Sequence, residues 1–414
     1  MKVPLLDLKL QYAQIKGEIR SAIEEVLESQ QFIFGPKVES FESEIAQYVK
    51  ADHAIGISSG TDALLISLMA LETGKGDLVI TSPFTFFSTA SSISRLGATP
   101  LFIDIDPLTY NLSPEKTEET IASLNKDQLN KVRAIIPVHL YGQCADMDSI
   151  VKISKKYDLK IIEDAAQALG AKYLKGGSDD TYRFAGSRGD FGCFSFFPTK
   201  NLGGYGEGGM IVTHHESLAN KIRSLRHHGC KSQQEQYYYD RIGINGRLDA
   251  LQAAILKVKL KHLDPWTEKR RLNADNYNKM FKETGLVTDR EDHKLEEKPL
   301  GLPYVRDGHY HVFNQYVIRA RERDKLKAFL NQHGIGCGIY YPLPIHLQPC
   351  YQENTDFQLC YQQLGLSYKE GSFPEAERAA REVLALPVYP ELTEEQQELV
   401  VSTILQFYKK SKFA

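Results

Sequence analysis

Short apolar runs alternate with stretches of helical spacing between residues 54 and 260. Runs of four or five largely apolar residues are typical of buried strands, whereas apolar residues three or four positions apart are typical of a helix packed on one face. Strands separated by helices predict a mostly parallel sheet that is covered on both faces. The predicted strands are Ala54–Ile57, Leu78–Ile80, Thr99–Ile103, Ala134–Val138, Lys160–Ile162, Gly192–Phe196 and Gly209–Val212.

One helical pattern lies before this region and another lies at its end, and a smaller α/β pattern follows it. Residues 14–29 have apolar residues at helical spacing, and residues 247–260 form a second amphipathic stretch that we expect Pro265 to end. We therefore predict a large α/β domain with an N-terminal helical segment over residues 1–265 and a smaller C-terminal α/β domain over residues 266–414. The elements predicted in the smaller domain are a strand near Phe313–Ile318, a helix near Arg323–His333, a strand near Gly338–Tyr341 and a final helix after Thr393.

The composition changes this picture little, but it excludes several classes of protein. The 414 residues carry a net charge of −3, so there is no general basic surface for nucleic acid or an anionic membrane. No stretch has the roughly 18 to 20 consecutive apolar residues of a membrane span, and Asp7 interrupts the apolar run that a signal peptide requires. Six scattered cysteines include no C-x-x-C pair, so they predict neither a zinc site nor a disulfide framework. We expect a soluble cytoplasmic protein without a bound metal.

The first motif that suggests chemistry is S-S-G-T-D at residues 58–62, directly after the first predicted strand. Gly60 lets the backbone approach a ligand closely, and the N–H groups of Thr61 and Asp62 lie at the positive end of the helix that follows. This is a common way to bind a phosphate. A helix N-cap formed by Ser59 or Thr61, with no ligand, is the simpler interpretation of this motif alone.

A second motif, E-D-A-A-Q at residues 163–167, follows the predicted strand Lys160–Ile162. A carboxylate at a strand end near the core is costly unless it is paired, and a protonated pyridine nitrogen would be such a partner for Asp164. In an ordinary strand-end turn, Asp164 would instead cap the next helix. A magnesium site is a further interpretation, but no second carboxylate cluster supports it.

The third motif, S-F-F-P-T-K-N-L-G-G-Y-G-E-G-G at residues 195–209, places Lys200 between an aromatic strand end and a glycine-rich loop. A desolvated lysine amine is nucleophilic and forms a Schiff base with an aldehyde. An exposed lysine in a flexible loop is the alternative. A phosphate cradle, a carboxylate for a ring nitrogen and an activated lysine are together what pyridoxal phosphate requires. Phe86, after the second predicted strand, would supply a ring to stack on this cofactor, although a core aromatic fits its sequence context equally well.

These motifs occur in an order that resembles the DegT/DnrJ/EryC1/StrS family of pyridoxal-phosphate-dependent nucleotide-sugar aminotransferases, over nearly the whole chain. The resemblance implies fold type I of the pyridoxal-phosphate enzymes, the aspartate aminotransferase-like α/β fold with a mostly parallel mixed central sheet. It also implies a homodimer with active sites shared between subunits. The segments that carry the resemblance are V-P-L-L-D-L-K, F-G-P-K-V-E-S-F-E, S-S-G-T-D-A-L, H-L-Y-G-Q-C-A-D-M-D, E-D-A-A-Q, S-F-F-P-T-K-N-L-G, N-G-R-L-D-A-L-Q-A-A and Y-Y-P-L-P-I-H.

By motif match, the resemblance assigns Lys200 as the Schiff-base and proton-transfer lysine and Asp164 as the partner of the pyridine nitrogen. Gln167 would contact the ring hydroxyl, and Phe86 would stack on the ring. Asn245 would reach the phosphate of the neighbouring subunit's cofactor. The phosphate contacts within one subunit would come from Gly60, Thr61 and Ser195.

On the substrate side, Arg247 would meet the anionic part of a sugar nucleotide, since a guanidinium forks well onto phosphate or carboxylate. Tyr341 and His346 match a family segment near the sugar pocket, and a structural histidine is an equally good interpretation of His346. The H-H-G-C segment at residues 227–230 fits no zinc-ligand spacing. Residues 176–188 are longer than the corresponding family segment, and we expect a surface insertion there, with a lid or an interface loop as the alternative.

The resemblance implies transfer of an amino group from L-glutamate to a nucleotide-linked keto sugar. Lysine rather than histidine at position 200 indicates transamination and not the C3 dehydration that some family members perform. Overall similarity favours the C3 ketone of a UDP-linked 2-acetamido sugar, as a precursor of lipid A, O-antigen or another surface glycan. C3 or C4 amination of a sugar linked to dTDP or another nucleotide is the alternative, and a non-catalytic regulator on the same fold is the alternative of another class.

Overall fold

The computed structural model describes residues 1–174, 182–231, 237–288 and 295–410. The N-terminal helices are α1 (Leu8–Ser29) and α2 (Pro36–Val49). Alternating strands and helices follow as β1 (His53–Ile57), α3 (Gly60–Ala70), β2 (Leu78–Thr81), α4 (Phe87–Arg95), β3 (Thr99–Phe102), α5 (Pro114–Ser123), α6 (Lys126–Leu129), β4 (Val132–Ile136), α7 (Met147–Tyr157), β5 (Lys160–Asp164), β6 (Lys172–Leu174), β7 (Tyr182–Phe184), β8 (Phe191–Ser195), β9 (Gly209–Thr213), α8 (Glu216–Leu225) and α9 (Ala250–Leu260). The C-terminal elements are α10 (Leu263–Glu283), β10 (Leu300–Gly301), β11 (His309–Tyr310), β12 (Tyr316–Ala320), α11 (Arg323–Gln332), α12 (Pro349–Gln352), α13 (Thr355–Gln363), α14 (Pro374–Glu382), β13 (Val383–Leu386) and α15 (Glu394–Lys410).

The strands predicted between residues 54 and 212 are all present, and they form one seven-stranded sheet in the order β1-β9-β8-β5-β4-β2-β3. Their bounds differ from the predicted ones by one or two residues. β9 runs antiparallel to its neighbours β1 and β8, whereas the other pairs of this sheet are parallel. The predicted mostly parallel mixed sheet is therefore confirmed.

Helices cover both faces of this sheet, because alternate residues of a strand point to opposite sides. Val79 packs in one apolar cluster with residues of α3 and α8. Leu78 and Ile80, on either side of it, pack in a second cluster with residues of α2 and α9. A parallel sheet that is buried on both faces leaves the ends of its strands as the place where polar side chains meet a ligand.

Pro265 does not end the helix before it, so that prediction is wrong. Helix α9 already ends at Leu260, and Pro265 lies in the first turn of α10, which begins at Leu263. A proline is tolerated there because the N–H groups of a first helical turn have no intrahelical partner to lose. The proline signal was correct for a helix boundary, but it marked the start of the second helix.

The C-terminal region has its own antiparallel sheet, β10-β12-β13, and its own apolar core. The predicted strand near residues 313–318 is β12, and the two predicted helices are α11 and α15. The second core also includes Val3 from the beginning of the chain. The domain boundary at residue 265 stays a prediction.

The strand predicted at Gly338–Tyr341 is wrong. Gly338 makes only a single bridge, to Ala385, and β13 takes the place of the predicted strand in the sheet. The chain leaves the sheet after Gly338, and Tyr340 and Tyr341 line a cleft at the edge of the large sheet. Their apolar character reflects contacts with that cleft and not membership of a strand.

Two remaining expectations concern the insertion and the membrane. Residues 176–181 of the predicted insertion lie outside the described residues. The described part begins with β7, which pairs antiparallel with β6 in a small sheet of order β11-β6-β7. Of the helices in the described ranges, none is long and apolar enough to cross a membrane.

Candidate active site

The carboxyl ends of β5 and β8 and the loops after β1, β2 and β4 open into one cleft of about 550 Å³. A cleft of this size is in the range that binds cofactors and small substrates. Gln315, Tyr340 and Tyr341 line it from the C-terminal region. The predicted site residues that the structure brings together here are Gly60, Thr61, Phe86, Asp164, Gln167, Ser195, Lys200 and Tyr341.

One end of the cleft is suited to an anion, because helix α3 starts there at Gly60. The Oγ of Ser59 accepts the N–H of Asp62 at 3.0 Å, so Ser59 is the N-cap. The N–H groups at the beginning of a helix have no intrahelical partner and carry the positive end of the helix dipole. A Cβ at position 60 would lie 2.7 Å from the Cβ of Ser195, so glycine is needed for this close approach. The cap and the phosphate interpretations of this motif are thus compatible.

Glu163 and Asp164 are adjacent buried carboxylates with different surroundings. Burial alone would raise the pKa of Glu163, but its hydrogen bond and charge interaction with His139, together with backbone N–H groups, hold that pKa below its usual value. Its oxygens are 2.8 Å from Nε2 of His139 and accept N–H groups of Gly186, Arg188 and Gly189. Glu163 is therefore a structural group that holds the loop before β8.

Asp164 points into the cleft and has fewer partners. Its carboxylate accepts the hydroxyl of Thr89 at 2.7 Å and the N–H of Ala166 at 3.2 Å. Burial raises the pKa of Asp164, against the opposing effects of these hydrogen bonds and of the nearby Lys200 charge. A buried carboxylate with a raised pKa is stabilised by a further positive charge, which a protonated ring nitrogen would supply.

Lys200 follows β8 in a tight turn and lies close to Asp164. Burial lowers the pKa of Lys200 to about 8, although the charge of Asp164 raises it. A lysine with this pKa is partly deprotonated near neutral pH and is therefore a usable nucleophile. The next residue anchors the turn, since Asn201 donates through Nδ2 to the carbonyl of Val312 at 3.0 Å. The surface-lysine interpretation of Lys200 does not fit this geometry.

Gln167, Tyr341 and Phe86 form another part of the cleft lining. The Oε1 of Gln167 accepts the N–H of Tyr141 at 2.7 Å, and its Nε2 donates to the hydroxyl of Tyr341 at 3.1 Å. Burial raises the pKa of Tyr341, so its hydroxyl stays protonated. Phe86 is 57% exposed, and its ring centroid lies 6.2 Å from that of Tyr341. Phe86 is thus not a core aromatic, and its exposed ring is available for stacking.

Asn245, Arg247 and His346 are not among the residues that line this cleft. Asn245 is exposed, and Arg247 donates through Nη1 to Nδ1 of His227 at 2.6 Å. The predicted contact of Asn245 with the phosphate of the neighbouring subunit's cofactor and that of Arg247 with the anionic part of the sugar nucleotide stay predictions. The side chain of His346 is fully buried, 3.2 Å from Oε1 of Glu377, which favours the structural interpretation of this residue.

Sequence reasoning missed several residues at the site. Thr89 holds Asp164, and the signal for it was present, because it lies three positions after Phe86 at the start of a helix that faces the cleft. Gln315 and Tyr340 come from the C-terminal region; Gln315 lies outside the family-like segments, whereas Tyr340 begins the Y-Y-P-L-P-I-H segment, directly before Tyr341. Glu207, in the glycine-rich loop, is the second carboxylate of the lining.

The groups present in the cleft fit pyridoxal phosphate. Gly60 and Ser195 would hold the phosphate, Asp164 would pair with the protonated ring nitrogen, and Lys200 would bind the aldehyde carbon. Two observations support the fit: Asp164 is a buried carboxylate with a raised pKa, and Phe86 is a large apolar ring left exposed on the cleft wall. A flat cationic ring would satisfy both groups at once.

Known proteins resemble this chain along nearly its whole length. A family model described as the DegT/DnrJ/EryC1/StrS aminotransferase family matches residues 13–405. A Geobacillus stearothermophilus protein named as a pleiotropic regulatory protein is 48% identical over 99% of both chains. The UDP-N-acetyl-3-dehydro-alpha-D-glucosamine 3-aminotransferase of Acidithiobacillus ferrooxidans is 39% identical over 97% of both chains. Among solved structures, ntda from Bacillus subtilis with bound cofactor PMP is 31% identical, with a TM-score of 0.82, and the match covers 99% of this chain and 85% of that chain.

Proposed function

The chain belongs to the DegT/DnrJ/EryC1/StrS aminotransferase family, and we propose that it transfers the amino group of L-glutamate to the C3 ketone of a UDP-linked 2-acetamido-3-keto sugar. In broader terms it is a pyridoxal-phosphate-dependent aminotransferase that acts on nucleotide-linked keto sugars. The observation that carries the broader function is Lys200 beside Asp164 in one cleft. The finer substrate rests on the 39% identity to a 3-aminotransferase of a UDP-linked sugar.

Pyridoxal phosphate, when bound, supplies an electron sink that lets an amino group pass from an amino acid to a ketone. The Nζ of Lys200 is the base that removes the α-proton of the amino donor and the acid that returns a proton in the same half-reaction. A pKa lowered to about 8 by burial lets this amine act in both directions near neutral pH. Asp164 would accept the hydrogen bond of the ring nitrogen and would keep that nitrogen protonated.

The proposal includes a homodimer in which Asn245 and Arg247 reach the cleft of the neighbouring subunit. Its support is the charge of the cleft. Lys200 is the one cationic side chain among the described residues that line it, whereas Asp164 and Glu207 are acidic. A cofactor phosphate, a nucleoside diphosphate and the carboxylates of glutamate need further positive charge, which a guanidinium supplies well.

The proposed product is an amino sugar for lipid A, O-antigen or another surface glycan, made in the cytoplasm. The second candidate function is a regulator on the same fold, which the name of the 48% identical Geobacillus protein favours. A protein that only binds a ligand has no need for a lysine with a lowered pKa beside a buried carboxylate. Lys200 and Asp164 therefore favour the enzyme.

Turnover with L-glutamate and a panel of UDP- and dTDP-linked 3-keto and 4-keto sugars tests the proposal. We expect the UDP-linked 3-keto sugar to have the highest kcat/KM, with ping-pong kinetics. The matched control is Lys200→Ala, which should form no product and lack the visible absorbance of lysine-bound cofactor. Preference for a 4-keto or a dTDP-linked sugar would overturn the finer substrate, whereas a wild-type protein without this absorbance would favour the regulator.

A further inference from the structure

Lys259, inside helix α9, is a buried lysine that the proposed reaction does not use. It is 1% exposed, although lysines are rarely buried without a charged partner. In the described part of the chain, it has no carboxylate within ion-pair distance; its Nζ donates to the carbonyl of Gly203 at 2.5 Å. The same Nζ lies 5.0 Å from the ring centroid of Tyr205. Burial lowers the pKa of Lys259 to about 8.

The two groups that Lys259 contacts belong to the glycine-rich turn that follows Lys200. Gln252 in the same helix contacts this turn as well, because its Oε1 accepts the N–H of Tyr205 at 2.8 Å. Gln252 and Lys259 are seven positions apart, which is about two helical turns, so they lie on one face of α9. One helix face thus contacts the turn at two points.

The turn itself is tightly folded, so its position decides where Lys200 points. The N–H of Gly204 donates to the carbonyl of Phe196 at 2.8 Å, which closes the turn around Lys200. A Cβ at position 203 would lie 2.3 Å from the carbonyl oxygen of Pro198, so only glycine fits there. A turn this tight moves as a unit, and a shift at Gly203 is passed on to Lys200.

We propose that Lys259 is a positioning residue for Lys200, which it acts on through the carbonyl of Gly203. Lys259 is not among the described residues that line the cleft, so it would act through the turn and not by touching a ligand. A long side chain with three N–H donors reaches from the helix axis to a buried carbonyl and places its charge over an aromatic ring. The proposal rests on the proposed function, because it assumes that Lys200 performs the proton transfer.

Burying a charged amine that has no carboxylate partner costs free energy, and an apolar residue of similar size would avoid that cost. A residue that disfavours stability but fixes a reacting group is expected where geometry controls the rate. Misplacing a catalytic group by about 1 Å lowers the rate by roughly 100-fold. The effect of losing Lys259 should therefore appear in kcat, with little change in the binding of either substrate.

The test compares Lys259→Met with wild type as cofactor-loaded holoenzymes. We expect kcat to fall by roughly 10- to 100-fold, with both KM values within about threefold of wild type. We also expect a shift in the apparent pKa of the visible absorbance in a pH titration, since this absorbance reports on the surroundings of Lys200. The matched control is Lys257→Met in the same helix, which removes a partly exposed lysine paired with Glu44 at 2.9 Å. This control should change neither kcat nor the apparent pKa of the visible absorbance.

Two further variants guard against a simple loss of folding. Lys259→Arg keeps the charge and the donors, and it should recover part of kcat and of the spectroscopic pKa. Gln252→Leu removes the second contact with the turn and should give the same changes at smaller size. Wild-type kcat per bound cofactor and an unshifted titration in Lys259→Met would overturn the proposal, even if that variant were less stable. A wild-type protein that takes up no pyridoxal phosphate would instead refute the proposed function.

Discussion

The cofactor end of the cleft and the exposed segment that carries Asn245 and Arg247 differ in how much of a site one chain completes. At the cofactor end, Thr89 holds Asp164, and Asn201 anchors the turn at Lys200 to the carbonyl of Val312, which lies far away in the same chain. Asn245 is exposed, and Arg247 contacts a histidine of its own segment instead of the cleft. The contacts of the first region all come from one chain, whereas the proposed role of the second region depends on another subunit.

The physical origin of this difference is the sheet. Parallel strands bring their carboxyl ends to one edge, so residues that follow β5 and β8 meet although they are far apart in sequence. The segment at Asn245 lies between α8 and α9 and does not directly follow a strand of the large sheet.

Lys200→Ala should have the largest effect. We expect kcat to fall by at least about 1,000-fold, because the variant loses both the covalent attachment of the cofactor and the general base. Transient kinetics with L-glutamate and the visible spectrum of the cofactor-loaded protein measure the two losses separately. Substantial turnover in this variant would remove Lys200 from the chemistry and with it the proposed reaction.

Asp164→Asn should lower kcat by about 100-fold, since it removes one preorganised charge but keeps the size of the side chain. The adjacent Glu163→Gln is the matched control, because Glu163 holds a loop and does not line the cleft. We expect this control to lower Tm and to leave kcat within several-fold of wild type. Equal losses of kcat in both variants would show that the two carboxylates do not differ in function.

The lowered pKa of Glu163 also predicts how the free energy of unfolding depends on pH. The pKa of Glu163 is lowered from 4.5 in the folded chain. The unfolded chain therefore binds the proton more tightly, and the stabilisation by Glu163 is complete above pH 4.5 and is lost as the pH falls below it. Unfolding by urea at a series of pH values should show a shallower acid-side slope for Glu163→Gln than for wild type.

Arg247→Ala should raise the KM for the sugar nucleotide by roughly 10- to 100-fold, the cost of a lost charge-assisted hydrogen bond. Mixing the Arg247→Ala variant with the Lys200→Ala variant tests whether Arg247 serves the cleft of its own chain or that of the neighbouring subunit. If active sites are shared, a mixed dimer contains one cleft with both residues intact, and random mixing restores about a quarter of wild-type activity. If Arg247 serves the cleft of its own chain, both clefts of the mixed dimer are defective and no activity returns.

Sequence reasoning was reliable where a residue follows a strand of the large sheet. Gly60, Asp164 and Lys200 were predicted because each comes after an apolar run, and the sheet then places them together. The strand predicted at Gly338–Tyr341 failed because apolar residues that line a cleft resemble strand residues in a one-dimensional pattern.

Contacts between distant segments were beyond the reach of the sequence pattern. Lys259 lies 56 positions after Gly203, and its contact depends on how α9 packs beneath the glycine-rich turn. Nothing in an amphipathic helix pattern distinguishes a lysine that turns inward from one at the surface, such as Lys257. His346 is a different case: its motif match implied a place near the sugar pocket, whereas its buried contact with Glu377 favours the structural interpretation.

His346→Gln should have the smallest effect on catalysis and a clear effect on stability. Burial lowers the pKa of His346 below 6.5, despite the opposing influence of Glu377. The neutral ring is therefore the form that the folded chain prefers, and the unfolded chain takes up the proton first as the pH falls. Folding stability is complete above about pH 6.5 and declines as the pH drops below that value. Replacing the histidine removes this contribution to the decline and leaves Glu377 with a weaker partner.

We expect His346→Gln to keep kcat/KM within about twofold of wild type, to lower Tm at pH 8, and to show a shallower loss of stability between pH 6.5 and 5. Thermal unfolding across this pH range and steady-state kinetics with the preferred sugar nucleotide measure these quantities. Tyr341→Phe is the matched comparison from the same segment, because Tyr341 lines the cleft and its hydroxyl accepts the Nε2–H of Gln167 there. A larger rise in KM for His346→Gln than for Tyr341→Phe would contradict the structural interpretation. His346 would then belong to the substrate site, although its side chain is buried beside Glu377.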